Sequence, residues 1–417
     1  MVARGLGAVG LSAVATVVAF QTWDMTGDPL ALGMLGLVEA IPALGLTLLG
    51  GHVADRRDRR SVVIFTTALL VVGSLVLMLM AMRPELLGFA GVLAVVFLVG
   101  IAAGFERPAL AAFETQVIPP KFASKGVSLT GSVWTTGAII GPALGGLSIA
   151  FVGLPATYAA IAIVFVGSLI GVARIAKKPM PEIEVRESFV KSVSSGVRYV
   201  RHNQVLLGSM ALDLFAVFFG GAIALLPVFA IDILGAGPIG LGLLRTAPAV
   251  GALIAMLATT RFMPKRHAGS ILLVSVAIFG VSMIVFGLST SFWLSMVAMF
   301  VAGLADGVSV VIRIVILRVE SPEAMRGRIA SVNFLFIGAS NELGALESGV
   351  AAAIFGVIPT VVGGGVITLG VVAAVAFLAP ALRRLDLGER LRDGPGMAGA
   401  AIATPVTVES PGPGPDT

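Results

Sequence analysis

The sequence predicts an all-α integral membrane protein whose twelve transmembrane helices form two pseudo-symmetric six-helix bundles. Three observations lead to this fold class: an apolar composition, twelve long apolar segments and an internal repeat. The chain has 417 residues, of which 57% are hydrophobic, and its mean hydropathy is +1.02. Charged residues make up 12%, about half of the roughly 25% that is usual in soluble domains. The lipid bilayer is therefore the expected surroundings.

Each predicted span is an apolar segment close to the roughly 20 residues that a helix needs to cross a bilayer. Charged residues, Pro or Gly lie near the ends of these segments and separate one from the next. The predicted spans are 5–20, 30–49, 61–82, 87–112, 127–149, 156–172, 205–231, 239–260, 270–288, 293–317, 329–355 and 361–382.

A short basic turn, Gly50–Arg60, joins the second and third spans, and six of its eleven residues are charged. Lys and Arg in short loops are retained in the cytoplasm. With the spans above, only Arg83 of the 28 Lys and Arg falls in an outer loop, three fall within spans, and the remaining 24 fall on the side of this turn. We therefore expect a multi-pass protein of the plasma (inner) membrane with both termini cytoplasmic. The net charge of +5 is interpreted as a topology signal rather than as a nucleic-acid surface.

The longest polar interruption divides the chain into two halves of similar size. Within it, apolar side chains from Phe189 to Val200 share one helical face opposite Lys191, Arg198 and Arg201, which predicts an amphipathic helix on the cytoplasmic membrane surface. The expected domains are an N-terminal bundle, 1–173, a linker, 174–203, a C-terminal bundle, 204–382, and a disordered tail, 383–417.

An internal repeat relates the two halves. Span 2 contains Gly36, Glu39, Pro42 and Gly45 at three-residue intervals, and span 8 contains Gly242, Arg245, Pro248 and Gly251 at the same intervals. Gly126 and Gly137 are matched in the same way by Gly327 and Gly338. Such repeats are typical of two bundles related by a pseudo-two-fold axis along the membrane normal, with a binding site near the midplane.

Two motifs make the chain resemble the major facilitator superfamily over essentially its whole length. The basic turn is similar to that family's loop signature at Gly51, Ala54, Asp55, Arg56, Arg59 and Arg60, with Asp58 in place of the usual Gly. Span 5 resembles the antiporter signature of exporters at Gly137, Gly141, Pro142, Gly145 and Gly146. The segments 26–33 and 321–328 further resemble the branch that contains enterobactin exporters and macrolide efflux proteins. The helix-4 basic motif of many drug/proton antiporters is absent, because 99–104 has no Arg before its glycines.

The resemblance implies roles for both motifs. Asp55 and the loop arginines would form a charge network that latches the halves, with Gly51 permitting close helix approach; the alternative is a solvated turn that only sets orientation. Asp58 is a candidate N-cap for the third span. The span-5 glycines would let a neighbouring backbone pack closely, whether for antiport or for ordinary packing.

Ionisable residues inside spans are expensive and suggest functional sites. Five candidates for proton coupling or substrate contact lie in spans: Glu39, Asp213, Arg245, Asp306 and Glu342. Asp213 and Asp306 are candidates for cation contact, and Arg245 for pairing with an acid or receiving an anionic group; a structural ion pair is the alternative for each. Glu347 also lies within a span. Glu106, Arg107, Glu114 and Arg313, nearer the cytoplasmic ends, are expected to pair with loop arginines or to reach the interface.

The predicted function is secondary active efflux of small amphipathic molecules, drug-like compounds or a siderophore, by alternating access with proton antiport. A lipid or lysolipid transporter of the same fold is the alternative. An intramembrane enzyme or a receptor is disfavoured, because the chain has no Cys and its three His fall in predicted loops. The expected partners are lipid, a small-molecule substrate and protons, with no nucleic acid, cofactor or metal, and a monomer is expected.

Overall fold

The computed structural model describes residues 1–83, 85, 88–177, 189–220, 222–262 and 266–388. Within these residues, ten helical segments are long and apolar enough to cross a bilayer, and Pro29–Gly45 is a shorter apolar helix. The helices are α1 (Val2–Thr26), α2 (Pro29–Gly45), α3 (Thr47–Arg56), α4 (Arg59–Met82), α5 (Gly88–Val117), α6 (Ala123–Ala173), α7 (Phe189–His202), α8 (Gln204–Gly220), α9 (Leu226–Val228), α10 (Gly237–Arg261), α11 (Ala268–Leu288), α12 (Phe292–Glu320), α13 (Arg326–Phe355), α14 (Val357–Leu378) and α15 (Pro380–Arg383).

Helix α6 contains two predicted spans, because the chain turns back on itself at Gly153. This residue has φ 77° and ψ 172°, a conformation that essentially only Gly adopts. The Thr157 hydroxyl donates to the Ser148 hydroxyl at 2.9 Å, although nine residues of straight helix would separate them by about 13 Å. With this turn and the shorter α2, the helices accommodate the twelve predicted spans.

The basic turn differs from the prediction because most of it is helical. Helix α2 ends at Gly45, and α3 continues from Thr47 to Arg56, so only Arg57 and Asp58 separate α3 from α4. The N-cap prediction for Asp58 is wrong in its bonding: Asp58 holds the N-cap position but caps no backbone N–H, and its carboxylate accepts from the Ser61 hydroxyl at 2.7 Å.

Predicted span 7 is broken into several pieces. Helix α8 ends at Gly220, and a 3₁₀ turn (Ala222–Leu225), the single turn α9 and a π-helix (Phe229–Ile233) follow. Predicted span 12 is shifted: α14 begins four residues earlier and ends at Leu378, and α15 follows as a separate turn. Residues 389–417 of the predicted tail lie outside the described part of the chain.

Helix α7 forms where the amphipathic segment was predicted, but two of its apolar side chains pack against protein. Val197 and Val200 pack into the core of the C-terminal bundle. A side chain at Gly196 would meet the carbonyl of Arg328 at 2.8 Å. The prediction of a membrane-surface contact is therefore corrected at Val197 and Val200, because a protein surface can bury apolar side chains as well as a membrane can.

The two bundles meet through paired backbone contacts of α2 with α13 and of α6 with α10. A Cβ at Gly33 would lie 2.9 Å from the Cα of Gly349, and one at Gly146 would lie 3.0 Å from the Cα of Gly242. The α13–α14 turn at Gly356, φ 89° and ψ 159°, has the conformation of the Gly153 turn. These matched contacts and turns agree with the predicted pseudo-two-fold repeat.

We call the end of the molecule that carries Arg4, Arg60, Arg174 and Arg328 the basic face. The other end, with the turns at Gly27, Gly153 and Gly356, is the opposite face. The close contacts between bundles concentrate toward the opposite face, where Trp23 Nε1 donates to Asp232 Oδ1 at 3.4 Å. Ala19, Trp23 and Leu32 also share an apolar cluster there with Val228. The interface is therefore closed toward the opposite face.

Candidate functional site

A cavity of 530 Å³ lies between the bundles and is lined by residues of α1, α5, α6, α8 and α10–α13. Most of its wall is apolar. Its charged lining residues within the described chain are Arg107, Asp213, Arg245 and Asp306. Three of the five candidates from the sequence therefore share one cavity.

Asp213 and Asp306 are joined through Arg313. Arg313 Nη1 forms an ion pair with Asp213 Oδ1, and Arg313 Nη2 lies 3.6 Å from Asp306 Oδ1. The side chains of Arg313 and Asp213 are 13% and 11% exposed, whereas that of Asp306 is 45% exposed. Asp213 is thus paired and buried, while Asp306 presents its carboxylate to the cavity.

The role of Arg313 was mispredicted, because its position near a helix end suggested that it would reach the interface. It forms instead the centre of the intramembrane charge cluster. A signal was available in the sequence: Asp306 and Arg313 are seven residues apart, which places them on one face of a helix. Arg107 lines the cavity, and its expected reach to the interface stays a prediction.

A second charge cluster surrounds Glu39. The Glu39 carboxylate lies within electrostatic range of the Arg107 and Arg245 guanidinium groups. The Glu342 carboxylate lies within electrostatic range of Glu39 and Arg107. A Cβ at Gly36 would lie 3.7 Å from Glu342 Oε2, so Glu342 of the C-terminal bundle reaches helix α2. Arg245 Nη1 donates to the Ala15 carbonyl of the other bundle at 3.3 Å. This cluster therefore crosses the interface between bundles.

The loop motif makes contacts inside the N-terminal bundle. Arg59 Nη1 donates to the Ala112 carbonyl at 3.1 Å, and Arg60 donates to the Ala173 carbonyl. These bonds attach the start of α4 to the ends of α5 and α6. The side chain of Asp55 lies outside the described residues, and Arg56 is exposed.

Gly51 makes no close helix contact in this structure, and its predicted role in the latch stays a prediction. A Cβ at Gly51 would meet no atom within 4 Å, whereas one at Gly50 would meet the Gly104 carbonyl of α5. The helix α3 presents Gly50 to its neighbour, so the adjacent residue has the packing role.

The span-5 motif packs on two different partners. Cβ atoms at Gly137 and Gly141 would lie 2.5 Å from Ala8 Cβ and 2.7 Å from Ser12 Cβ of α1. A Cβ at Gly145 would be 3.4 Å from the Ala13 carbonyl, an ordinary contact. Gly146 and Pro142 face α10 instead: a Cβ at Gly242 would lie 2.6 Å from the Pro142 carbonyl. The motif therefore packs α6 closely on α1 within its own bundle and on α10 of the other bundle, and a role in antiport stays a prediction.

Near the basic face, Glu114 forms a local ion pair with Arg4. Arg4 Nε lies 3.4 Å from Glu114 Oε1, and both side chains are partly exposed. In the described residues no group of three or more His, Cys, Asp or Glu could hold a metal ion.

Two pseudo-symmetric helical bundles around a central charged cavity define a transporter of the major facilitator class. Residues 2–406 match the family model described as transmembrane secretion effector. The chain belongs to this family.

Two similar proteins are an exporter and an efflux pump. The chain is 26% identical over 333 residues to the enterobactin exporter EntS of Citrobacter koseri, which covers 78% of each chain. It is 27% identical over 395 residues to the multidrug efflux pump Tap of Mycolicibacterium fortuitum, covering 90% of this chain and 94% of the relative. The match to efflux proteins agrees with the branch that the sequence resembled.

Solved structures share the fold. The nucleoside transporter NupG matches with a TM-score of 0.71 and 14% identity over 92% of this chain and 98% of its own. The D-xylose–proton symporter matches with a TM-score of 0.69 and 14% identity over 92% of this chain and 98% of its own.

Proposed function

We propose that the protein is a secondary active exporter that moves small amphipathic molecules out across the plasma membrane by alternating access. The observation that carries this proposal is the central cavity together with an interface closed toward the opposite face. Since Lys and Arg mark the cytoplasmic side, the basic face is assigned to the cytoplasm with both termini. The structure then corresponds to a state that receives substrate from inside the cell.

The packing between bundles supports a rocking motion. At the opposite face, α2 meets α13 and α6 meets α10 through glycines, so the contacts are between backbones rather than interlocked side chains. Two-bundle transporters alternate by moving one repeat against the other around a fixed central site. In the outward-facing state these glycine contacts would open, and the loop-motif helices would close the basic face with Asp55, Arg56, Arg59 and Arg60 as the latch.

Proton exchange is the proposed source of energy. Charged side chains within a membrane are costly and are typical of proton and substrate pathways. Asp306 is the first candidate for the coupling acid, because it faces the cavity while Asp213 is paired with Arg313. The cluster of Glu39, Glu342 and Arg245 joins both bundles. It is proposed to couple the protonation of the acid to a change in the interface between the bundles.

The test is efflux of an amphipathic dye, ethidium, from proteoliposomes that contain the purified chain. An imposed pH gradient should drive efflux, and its collapse with an uncoupler should stop it. Asp306→Asn should abolish gradient-driven efflux but retain dye exchange without a gradient. Efflux that persists unchanged after the gradient is collapsed would refute proton coupling. Failure to move any member of a broad panel of amphipathic compounds would refute the export function.

A further inference from the structure

We infer that the cavity is built for amphoteric substrates, molecules that carry a cationic group and an anionic group about one drug-like ring system apart. This inference rests on the proposed function, since it specifies what the export cavity accepts. It follows from the placement of two open charges of opposite sign on one apolar wall.

The negative pole is Asp306. Its carboxylate is 45% exposed and lies 3.6 Å from Arg313 Nη2. Arg313 is at the same time held by Asp213, so its charge is divided between two acids. The Asp306 carboxylate can therefore accept hydrogen bonds from a substrate cation such as a protonated amine.

The positive pole is Arg245, which lines the cavity, as Arg107 does. Arg245 Nη1 donates one hydrogen bond to the Ala15 carbonyl at 3.3 Å. A guanidinium has five N–H donors in a planar fork, so further donors can bind a substrate. Glu39 acts on both arginines, but it is not among the described residues that line the cavity. The charged lining residue at this pole is therefore an arginine, and a carboxylate or phenolate fits its guanidinium.

The separation of the poles follows from helix packing. Helices α10 and α12 both run from the opposite face to the basic face, and Gly303 of α12 packs directly on Pro248 of α10. Arg245 precedes that contact by three residues, and Asp306 follows it by three. At 1.5 Å per residue the two backbone positions differ in depth by about 9 Å. The anionic group of a substrate would thus point to the opposite face and its cationic group to the basic face.

The rest of the wall suits the apolar body of such a molecule. Val217, Phe279, Met283 and Met299 line the same cavity. Charges in a low-dielectric site interact strongly with a correctly placed partner and disfavour a misplaced one. A molecule with both charges is therefore expected to bind better than an analogue that lacks either.

The test uses three fluorescent probes with one ring system: norfloxacin, which is a zwitterion, its ethyl ester, which is a cation, and N-acetylnorfloxacin, which is an anion. Affinities are measured by fluorescence anisotropy with the full chain in lipid nanodiscs, without a proton gradient. The zwitterion should bind at least about tenfold more tightly than either analogue, the effect of one charge-assisted hydrogen bond.

Single substitutions test the contribution of each pole to binding. Arg245→Gln should lower the affinity for norfloxacin to that for its ester and leave the ester unchanged, and Arg245→Lys should restore part of the preference. Asp306→Asn should lower norfloxacin to the level of the N-acetyl analogue. Arg318→Gln, on the exposed end of α12, is the matched control and should change none of the affinities.

Equal affinity for the three probes, no binding of any probe, or a zwitterion preference that survives Arg245→Gln would overturn the inference. Different outcomes test the proposed export function. Uniform binding with gradient-driven transport would leave export intact and reject amphoteric selection, whereas selective binding without transport would support the site and reject export.

Discussion

Arg313 of α12 and Asp213 of α8 form an ion pair inside the C-terminal bundle, with side chains only 13% and 11% exposed. Both helices are apolar over most of their length, so each charge would be costly without the other. The pair also places Arg313 beside Asp306, the more exposed of the two acids that line the cavity. The packing of the bundle is thereby linked to the cavity.

Removal of one member of this pair should destabilise the protein more than removal of both. Breaking a buried ion pair from one side typically costs about 3–5 kcal/mol, because it leaves a buried charge without a partner. We expect Arg313→Gln to lower the free energy of unfolding by about this amount, and Asp213→Asn to lower it by less because Arg313 keeps Asp306 as a partner, measured by denaturant unfolding in mixed micelles. The double variant should recover most of the loss.

Arg318→Gln provides the control for the loss of an arginine from α12, because Arg318 is exposed, and it should leave the unfolding midpoint unchanged. If the double variant were as unstable as the sum of the single variants, the two side chains would not be energetically coupled.

The less space an interface glycine has around it, the less it should tolerate a side chain. Gly146→Val places its Cβ against Pro238 and Gly242 of α10, and overpacking costs about 1–3 kcal/mol. We expect loss of ethidium transport and a lower unfolding temperature. The matched control, Gly131→Val, lies in the same helix where a Cβ would meet no atom within 4 Å, and it should retain stability. Equal stability of the two variants would contradict the close α6–α10 contact.

Much of the fold was predictable because a membrane imposes a length and a composition on every span. The Gly153 turn and the Gly146 contact also follow from local residue types. The extension of α3 through the basic turn was not predictable in this way, since polar residues are as compatible with a helix end in water as with a loop. The cover over Val197 and Val200 depends on contacts with α13, which no local pattern encodes.

The site was only partly predictable for the same reason. Burial cost alone identified Asp213, Arg245 and Asp306, and all three line the cavity. Arg313 was not counted among the site candidates, because its depth in the membrane was estimated from its distance to the end of the predicted span. Its contact with Asp213 depends on the packing of α8 against α12, which is a tertiary fact.

Gly50 and Gly51 offer a paired test of packing against function in the loop motif. Gly50→Ala places a Cβ on the Gly104 carbonyl, whereas Gly51→Ala places it in open space. We therefore expect Gly50→Ala to lower the unfolding temperature and Gly51→Ala to leave it unchanged. Thermal unfolding in detergent and dye efflux would be measured on both. An unchanged stability with lost efflux in Gly51→Ala would assign that residue to the transport cycle, and a stability loss in Gly51→Ala alone would contradict the packing described here.

The hydrogen bond from Trp23 to Asp232 joins the bundles at the opposite face, where Asp232 lies in a π-helical turn. Such turns often mark functional positions in helices. Trp23→Phe removes the donor while it keeps an aromatic ring, and a hydrogen bond contributes about 1 kcal/mol net. The population open at this face should therefore rise roughly fivefold.

This shift can be read by thiol labelling, because the chain has no cysteine. Val228→Cys is the reporter, since Val228 is 5% exposed in the closed interface and shares the apolar cluster with Trp23. A membrane-impermeant maleimide added outside should label it slowly in the parent and faster in the Trp23→Phe background. Phe355→Cys, at a residue that is 70% exposed on the same face, should label equally in both backgrounds. A Val228→Cys labelling rate that does not respond to Trp23→Phe would mean that the Trp23–Asp232 bond does not hold this face closed, and the closure would then depend on the glycine contacts of α2 with α13 and α6 with α10.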